Sequence, residues 1–314
     1  MALNFHTGYG RMIANAIASR RPNMGRVFFV ATTGVTGWDE FSELFPTGPE
    51  GNTRVWTTLK GLLDADVIED GGDDVVFVLP NHTESINSAG AIDTGTDSAG
   101  LTVIGLGEAD ERPLFTFGAA TTADINIGSN GVTFDNLRFD LTGVDALAAP
   151  LDVNSTGFTL RNCEVITADA DGQATLALLT DASAGSMTID GCYFRGSQTA
   201  GTTTALRIVG GSNSVIKNNV FIGNYKSGAG AIEVTTTAAG NLLIENNKIF
   251  NNTASSVSAM TFTGGTTAII VGNVLGIRSG TTPIYTNLGG GAGYLVIGRN
   301  YYKAASTAAA GTLL

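Results

Sequence analysis

A six-residue pattern recurs along this chain at nearly constant intervals, and it limits the folds that the chain can adopt. Each copy has large apolar residues at its first and sixth positions, usually Asn or Gly at the third, and an uncharged residue at the fourth. The seven copies begin at Phe134, Leu160, Ile189, Ile216, Ile244, Ile270 and Ile297, at intervals of 26 to 29 residues. A steady interval without close sequence identity indicates stacked structural units that bury their apolar sides against each other.

The third and fourth positions predict how the chain turns within each unit. The third residues are Asn136, Asn162, Gly191, Asn218, Asn246 and Gly272, with Arg299 as the exception. Asn and Gly tolerate a left-handed backbone, so we expect a one-residue bend there. The fourth position then faces inward again, and Asn219, Asn247, Asn273 and Asn300 occupy it in consecutive units. We predict that these four are buried and hydrogen-bonded from unit to unit as a ladder.

Two cysteines occupy the same fourth position in the units before this ladder. Cys163 and Cys192 lie one unit apart, and stacked strands are separated by about 4.8 Å, a distance that permits a disulfide. Side chains that stack in parallel seldom point correctly for such a bond. We therefore predict two buried free thiols in place of ladder asparagines.

Further apolar segments at a similar spacing predict additional strands in each unit. They begin at Leu206, Ile232, Met260 and Pro283. A coil of about 27 residues with two or three short strands predicts an all-β fold, a right-handed, single-stranded parallel β-helix of about eight coils. We assign this β-helix to residues 73–303, a small α/β anchor or capping region to residues 1–72, and a C-terminal tail to residues 304–314.

The capping region is predicted to contain a strand at residues 27–31 and a helix that starts from Thr53. Val55, Leu59, Leu62 and Leu63 would lie on one face of that helix. Such a helix would cover the open end of the β-helix, where strand edges otherwise lack partners.

Composition argues against several functional classes. The net charge is −11 and no basic cluster is present, so we expect no nucleic-acid partner. His6 and His82 are the only histidines, which excludes a multi-histidine metal centre. No apolar run approaches the roughly 18 residues of a membrane span, and the first residues lack the apolar core of a signal peptide. We therefore expect no cofactor, no membrane contact and no export by the usual secretory route.

The second position of the pattern carries acidic residues that could perform chemistry. Asp135 and Asp190 lie two units apart with Arg161 between them, an arrangement compatible with acid–base catalysis. Lys217 and Glu245 continue the alternation of charge at the same outward position. We interpret the whole series as an outward charge ladder.

Two other candidates for metal binding have simpler interpretations. Asp169, Asp171 and Asp181 could bind calcium, but they lack a full ligand pattern and we interpret them as solvated loop residues. His82 has no histidine partner, so we expect a solvated or hydrogen-bonded side chain in the loop after the first coil strand. We predict no catalytic residue and no metal ligand.

Several segments resemble known families. The run from Thr53 to Glu84 resembles the opening of pectate-lyase-like β-helix proteins: a helix, a glycine turn, a strand of the VxVxPG kind and then Thr-Glu. The segments VVFVLPNHTESI, LTVIGLGEADERPLFTFGAATTADINI and GVTFDNLRFD resemble an uncharacterised family of tailed-bacteriophage proteins. The resemblance covers residues 50–200 and implies a virion-associated β-helix protein encoded among head genes. It supplies no catalytic residues.

These observations lead to an expected function and an alternative. We expect a non-enzymatic structural component on the exterior of a phage particle, made in the host cytoplasm: a capsid decoration or cement protein, or a fibre. Its partners would be other virion proteins and itself, as a homotrimer whose weakly charged last coil offers Tyr294, Tyr301 and Tyr302. The alternative is a receptor-binding or polysaccharide-degrading tailspike, which should display acidic and aromatic residues together in one lateral groove. A bacterial adhesin is disfavoured by the missing signal peptide.

Overall fold

The chain forms a right-handed parallel β-helix of about eight turns, as the repeat predicts. A computed structural model describes residues 25–32, 54–118, 120–168, 174–197, 202–225, 230–235, 240–253, 258–279, 282–287, 294–304 and 312–313. Three sheets, named A, B and C below, run along the helix axis, and each turn of the chain contributes a strand to each sheet in succession.

Sheet A contains the strands that carry the first position of the repeat. They are β1 (Val27–Val30), β2 (Val55–Trp56), β3 (Val75–Val78), β6 (Thr102–Gly105), β9 (Thr133–Asp135), β12 (Thr159–Arg161), β15 (Thr188–Asp190), β18 (Val215–Lys217), β21 (Leu242–Glu245), β24 (Thr267–Val271) and β27 (Tyr294–Ile297). The spatial order begins β2-β1-β3 and then follows the chain to β27.

Sheet B follows the bend and sheet C completes each turn. The strands of sheet B are β4 (Thr83–Ile86), β7 (Leu114–Phe117), β10 (Arg138–Asp140), β13 (Glu164–Ile166), β16 (Tyr193–Arg195), β19 (Val220–Gly223), β22 (Lys248–Asn251), β25 (Val274–Ile277), β28 (Tyr301–Ala304) and β29 (Thr312–Leu313). Those of sheet C are β5 (Ile92–Asp93), β8 (Ile125–Ile127), β11 (Leu151–Val153), β14 (Leu176–Thr180), β17 (Thr204–Ile208), β20 (Ile232–Val234), β23 (Met260–Thr263) and β26 (Ile284–Asn287). The four additional strands predicted from sequence are β17, β20, β23 and β26.

Strand pairing keeps every column of the repeat in register. Leu160 pairs with Phe134 on one side and with Ile189 on the other, and all three side chains are buried. At the sixth position the buried rings of Phe194 and Phe221 stack with centroids 4.7 Å apart. Because inward and outward side chains alternate along each strand, a slip of one residue would expose the entire core column.

The bend between sheets A and B is a single left-handed residue in most coils. The φ angles are 58° at Asn136, 53° at Asn162, 67° at Gly191, 57° at Asn218, 55° at Asn246 and 70° at Gly272. At position 272 an added Cβ would also displace the side-chain oxygen of Asn246 in the previous coil, which favours glycine there. The third column therefore has the backbone conformation that its composition predicts.

The four predicted ladder asparagines form one buried stack directly after these bends. The Nδ2 of Asn219 donates to the Oδ1 of Asn247 (3.0 Å), Asn247 donates in the same way to Asn273 (3.0 Å), and Asn273 to Asn300 (2.9 Å). The same Oδ1 atoms also accept main-chain N–H groups from the previous coil, for example that of Asn219 at 3.0 Å from Asn247. Each Nδ2 additionally donates to a main-chain carbonyl of the previous coil, as from Asn247 to Ile216 at 2.9 Å.

The two cysteines continue this stack towards the N terminus. Both are buried free thiols. The Cys163 sulfur accepts the main-chain N–H of Leu137 at 3.4 Å, which is the role of the asparagine oxygen in later coils. For the Cys192 main-chain N–H, the acceptor is the side-chain oxygen of Asn219, at 2.8 Å. Sulfur is a weak acceptor, so the ladder is weaker in the coils before Asn219.

The N-terminal residues extend sheet A and add one short helix. β1 pairs in parallel with β3 and with β2, so the described part of the predicted capping region shares a sheet with the coils. The helix, α1 (Leu59–Asp64), packs beside β5 and begins after the N-cap Thr58, whose Oγ1 accepts the Gly61 N–H at 3.0 Å. The prediction of a helix that starts from Thr53, with Val55 on its apolar face, was therefore wrong. Val55 lies in β2, because the β-branched and aromatic residues Val55 and Trp56 favour a strand, which pairs with β1.

The C-terminal end of sheet B differs from the coils. β28 pairs in an antiparallel manner with β29, so part of the predicted tail returns along the last coil. Sheets A and C end at β27 and β26 within the described residues. At the C-terminal end, sheet B therefore has one additional antiparallel strand.

Replacing Asn247 by leucine should lower the free energy of unfolding by about 3 kcal/mol. The change removes the acceptor for the Asn219 N–H and Nδ2 groups and the donor for the Ile216 carbonyl, and each buried unsatisfied group costs about 1–3 kcal/mol. The exposed Asn87 provides a control, since Asn87→Leu should change stability by less than about 0.5 kcal/mol. Urea unfolding measures both; equal midpoints would contradict a stabilising ladder.

Candidate functional site

The stacked asparagines and thiols are inaccessible from solvent and cannot form a binding site. The ladder side chains are fully buried, and burial together with the neighbouring Cys192 raises the pKa of the Cys163 thiol well above its usual value. A thiol held in its neutral form is a poor nucleophile and a poor metal ligand. Any functional surface among the described residues must therefore be sought outside this stack, on the solvent-exposed parts of the rod.

The outward charges of sheet A pair from coil to coil. The Arg161 Nη2 lies 2.8 Å from Asp135 Oδ2, and the Lys217 Nζ lies 3.7 Å from Asp190 Oδ2. Asp135 and Asp190 flank Arg161 in the strand register, two coils apart. Each carboxylate has a cationic partner, which is the arrangement of a charge ladder.

A second charge ladder runs along sheet B and was not predicted. Arg138 lies between Asp110 (3.2 Å) and Glu164 (3.3 Å), and Glu164 also contacts Arg195 at 2.6 Å. The Glu164 side chain is largely buried beneath the two arginines, whereas that of Asp110 is almost fully exposed. Only Arg138 and Glu164 are direct neighbours in the strand register; Asp110 lies in a turn and Arg195 pairs with Ile166, so no sequence column indicated this series.

A cavity of about 370 Å³ opens beside this second ladder. Its lining residues are Ala109, Asp110, Arg112, Asn162, Cys163, Glu164, Gly191 and Tyr193. One wall is a short 3₁₀ turn, Ala109–Glu111, which the other coils lack in the described residues. The floor is the outer face of sheet B, where Tyr193 pairs in register with Glu164. Gly191 contributes no side chain, so the space above the bend stays open.

The cavity brings together two acids, a guanidinium and an exposed aromatic ring. The Arg112 Nη1 donates to the Asn162 carbonyl at 3.4 Å, which holds the arginine against the cavity wall. Tyr193 is 39% exposed. A mixture of charged groups with one aromatic face can bind a hydroxyl-rich ligand. The sequence patterns did not predict this cavity, because the charged turn at residues 108–112 occurs once and belongs to no repeat.

A buried polar cluster supports the N-terminal helix. Glu84 accepts the main-chain N–H groups of Leu59 (2.7 Å) and Lys60 (2.9 Å), and it lies 3.2 Å from the His82 Nε2. The His82 Nδ1 is 3.1 Å from the Thr32 hydroxyl. His82 is fully buried and hydrogen-bonded, so the solvated alternative was wrong. The carboxylate at the start of α1 satisfies two N–H groups that the helix cannot pair itself.

The predicted calcium group is described only in part. Asp169 and Asp171 lie outside the described residues. Asp181 Oδ1 accepts the Ser183 N–H and hydroxyl, both at 2.6 Å, and the Ala184 N–H at 3.1 Å, so it stabilises a turn. No group of three or more potential metal ligands occurs among the residues that the structure describes.

The outer faces of sheets A and B become apolar in the last coils. In sheet A the outward position before the repeat reads Thr133, Thr159, Thr188, Val215, Leu243, Ile269 and Val296 along the rod. Ile269 and Val296, which are neighbours in register, are 48% and 50% exposed. On sheet B, Val274 and Tyr301 are neighbours, and Tyr301 is 56% exposed. We call Ile269, Val296, Val274 and Tyr301 the apolar corner.

The tyrosines proposed as an interface do not share one surface. Tyr301 points outward into the apolar corner, whereas Tyr302 occupies the inward sixth column and is half-buried. Alternation along β28 separates them. The side chain of Tyr294 lies outside the described residues. The apolar corner was missed because its sheet A members belong to a position that the six-residue pattern does not include.

The fold and surface together define a class, a pectate-lyase-like parallel β-helix. A family model described as "right handed beta helix region" matches residues 123–275, just under half of the chain. Comparisons with curated proteins and with solved structures gave no match. Among the described residues no helix is long and apolar enough to cross a membrane. Parallel β-helices include enzymes and non-enzymes, so function must be argued from the outer surfaces.

Proposed function

We propose that the chain is a non-enzymatic structural component of a bacteriophage particle, a capsid decoration or cement protein or a fibre, which assembles through its last coils. The apolar corner is the observation that carries this proposal. Large aliphatic and aromatic side chains exposed side by side are costly in water and are typical of a surface that another protein covers. They lie on rigid, paired strands, so an interface would need little ordering of the chain.

The charge distribution supports assembly at this end of the rod. The outward columns of the earlier coils carry coil-to-coil ion pairs, such as Arg161 with Asp135 and Arg195 with Glu164. Residues 252–314 contain three basic side chains and no acidic one. The four residues of the apolar corner are themselves uncharged, so they can be buried without the desolvation cost that ion pairs impose.

The phage assignment rests on the resemblance of residues 50–200 to proteins of tailed phages. A rod whose register is held by internal amides and by external ion pairs suits a particle component that must withstand mechanical and chemical stress. The location would be the virion exterior, and the partners would be other virion proteins and further copies of this chain.

We propose a homotrimer as the assembled form. The apolar corner spans two outer faces that meet at the bend between sheets A and B. Around a threefold axis, sheet A of one copy can cover sheet B of the next, so that all three corners are buried in a closed ring of contacts.

Light scattering tests the trimer. In about 1 M salt, which screens charges, the purified chain should have a mass about three times the 32.2 kDa of one chain. Ile269→Lys places a charge in the contact and should give the single-chain mass. Thr159→Lys, at the equivalent outward position four coils earlier, should stay trimeric. A wild-type mass near 32.2 kDa would refute the proposal.

Mass spectrometry of purified particles tests the virion assignment. Peptides of this chain should remain with the particles through density-gradient purification, at a constant ratio to the major capsid protein. Loss of the chain into the soluble fraction of the lysate would show that it is not a particle component.

A glycan-binding tailspike is the second candidate, and the lateral cavity is the observation that favours it. Asp110, Glu164 and Tyr193 place acidic and aromatic groups together in one lateral groove, as expected for this alternative. Both carboxylates contact Arg138, so they are arranged to hold ligand hydroxyls through a fixed charge network.

Tyr193→Ala should weaken glycan binding if the cavity is the receptor site. Loss of the aromatic platform should weaken binding of a surface polysaccharide by at least about tenfold, equivalent to about 1.4 kcal/mol, measured by calorimetry with host polysaccharide fragments. Tyr301→Ala is the matched control outside the cavity and should bind normally. Absence of wild-type binding, or equal binding by both variants, would argue against this second function.

A further inference from the structure

The outer face of sheet B continues from the lateral cavity across strands β16, β19 and β22. The outward side chains of these strands form two rows of three in the strand register, separated by the buried inward column of the repeat. The first row contains Tyr193, Val220 and Lys248, and the second contains Arg195, Ile222 and Phe250. We call these six residues the sheet B platform.

Two aromatic rings occupy opposite corners of the platform. Tyr193 is 39% exposed and Phe250 is 37% exposed. Their strands are two apart, and neighbouring strands are separated by about 4.8 Å, so the two residues lie about 10 Å apart along the rod axis. Half-buried Val220 and Ile222 provide apolar surface between them.

The ring of Phe250 leans over the next strand of sheet B. Its register neighbour there is Gly276, and a Cβ added to that glycine would lie 2.7 Å from Cδ1 and 3.3 Å from Cε1 of the ring. The missing side chain at position 276 therefore gives the ring room to lie over the strand while part of it stays exposed. Such a ring offers an apolar surface on a rigid support.

The other two corners of the platform are cationic. Arg195 contacts Glu164 at 2.6 Å, and together with Asp110 and Arg138 this pair forms a series of two acids and two bases. Lys248 is exposed, and among the described residues no carboxylate lies within ion-pair distance of it. The platform itself contains no acidic side chain, although the chain has a net charge of −11. This face therefore attracts negatively charged groups.

We propose that the sheet B platform extends the glycan site of the lateral cavity, and that its ligand is a linear, negatively charged polysaccharide lying along the rod. The inference rests on the glycan-binding function, the second candidate above, and is independent of the homotrimer. Tyr193 and Phe250 stack on sugar rings, whose faces carry apolar C–H groups. Their separation along the axis is of the order of the length of a disaccharide, so one extended chain contacts both. Lys248 pairs with a carboxylate or a phosphate of that chain.

The surroundings of the platform favour a glycan over other elongated ligands. Tyr193 belongs both to the platform and to the cavity, so the two form one continuous surface. A ligand rich in hydroxyl groups can use the fixed charges of the cavity and the aromatic rings of the platform together. Single-stranded nucleic acid also stacks on aromatic rings beside cations, but its dense negative charge is disfavoured by the net charge of −11.

Binding to an array of defined oligosaccharides tests the ligand class. The array contains linear chains from disaccharides to octasaccharides in neutral, carboxylated and phosphorylated forms, and a single-stranded oligonucleotide serves as a competing anion. Acidic octasaccharides should bind at least about tenfold more tightly than acidic disaccharides, because only the longer chains reach both rings. The carboxylated and phosphorylated members distinguish the two possible anions.

Two variants assign the platform residues. Phe250→Ala should weaken binding of the acidic octasaccharide by about tenfold and leave the disaccharide unaffected, because the short ligand occupies the cavity alone. Lys248→Gln should weaken binding of the acidic octasaccharide and reduce its dependence on salt. Tyr285→Ala, an exposed tyrosine of sheet C, and Lys217→Gln, on sheet A, are the matched controls and should bind as the wild type does.

The outcomes separate this inference from the function on which it rests. If Tyr193→Ala weakens binding while Phe250→Ala and Lys248→Gln bind normally, the cavity binds glycan and the platform inference is wrong. A preference for neutral or for short chains would overturn the ligand class, and binding of the oligonucleotide alone would identify a nucleic-acid surface instead. Absence of any glycan binding by the wild type would overturn both the inference and the glycan-binding function.

Discussion

The structure depends on satisfying main-chain polar groups at one bend, which most coils repeat. A left-handed residue turns the chain between sheets A and B, and the next residue faces into the core with its N–H directed along the axis. In the later coils an asparagine oxygen from the following coil accepts that N–H, as Asn273 does for Asn247 at 2.9 Å. Because an unpaired N–H in the core is costly, the position after the bend tolerates few residue types.

Different interactions hold the coil-to-coil register in the two halves of the rod. Before Asn219 the stack contains Leu137, Cys163 and Cys192, and there the outer faces carry ion pairs while the core contains stacked aromatic rings, such as Phe115 with Phe139 at 5.7 Å. From Asn219 onward the amide ladder fixes the register from within. One external ion pair, Arg207 with Glu233 at 2.7 Å, still joins two coils beside the start of the ladder. In the last coils the outer positions that form the apolar corner are uncharged.

The repeat predicted the structural features that recur in successive coils, but it could not predict features that occur only once in the chain. The columns at Phe134, Asn136 and Asn219 gave the register, the bend and the ladder because each has the same physical role in successive coils. Glu84 lies in the sixth column, where the neighbouring coil has Phe115; its role becomes clear only from the structure, in which α1 begins at the Glu84 carboxylate. The turn at Ala109–Glu111 and the strand β2 are likewise single events, for which spacing provides no signal.

The lateral cavity and the apolar corner occupy different lengths of the same rod. The last cavity residue on sheet B is Tyr193, and Val220 and Lys248 separate it in register from Val274 in the corner. Three copies packed through their corners would leave each cavity accessible on the earlier coils. Under the proposed functions, assembly and ligand binding would therefore depend on different residues, since the ladder asparagines lie beneath the apolar corner and the sheet B ion pairs lie beside the cavity.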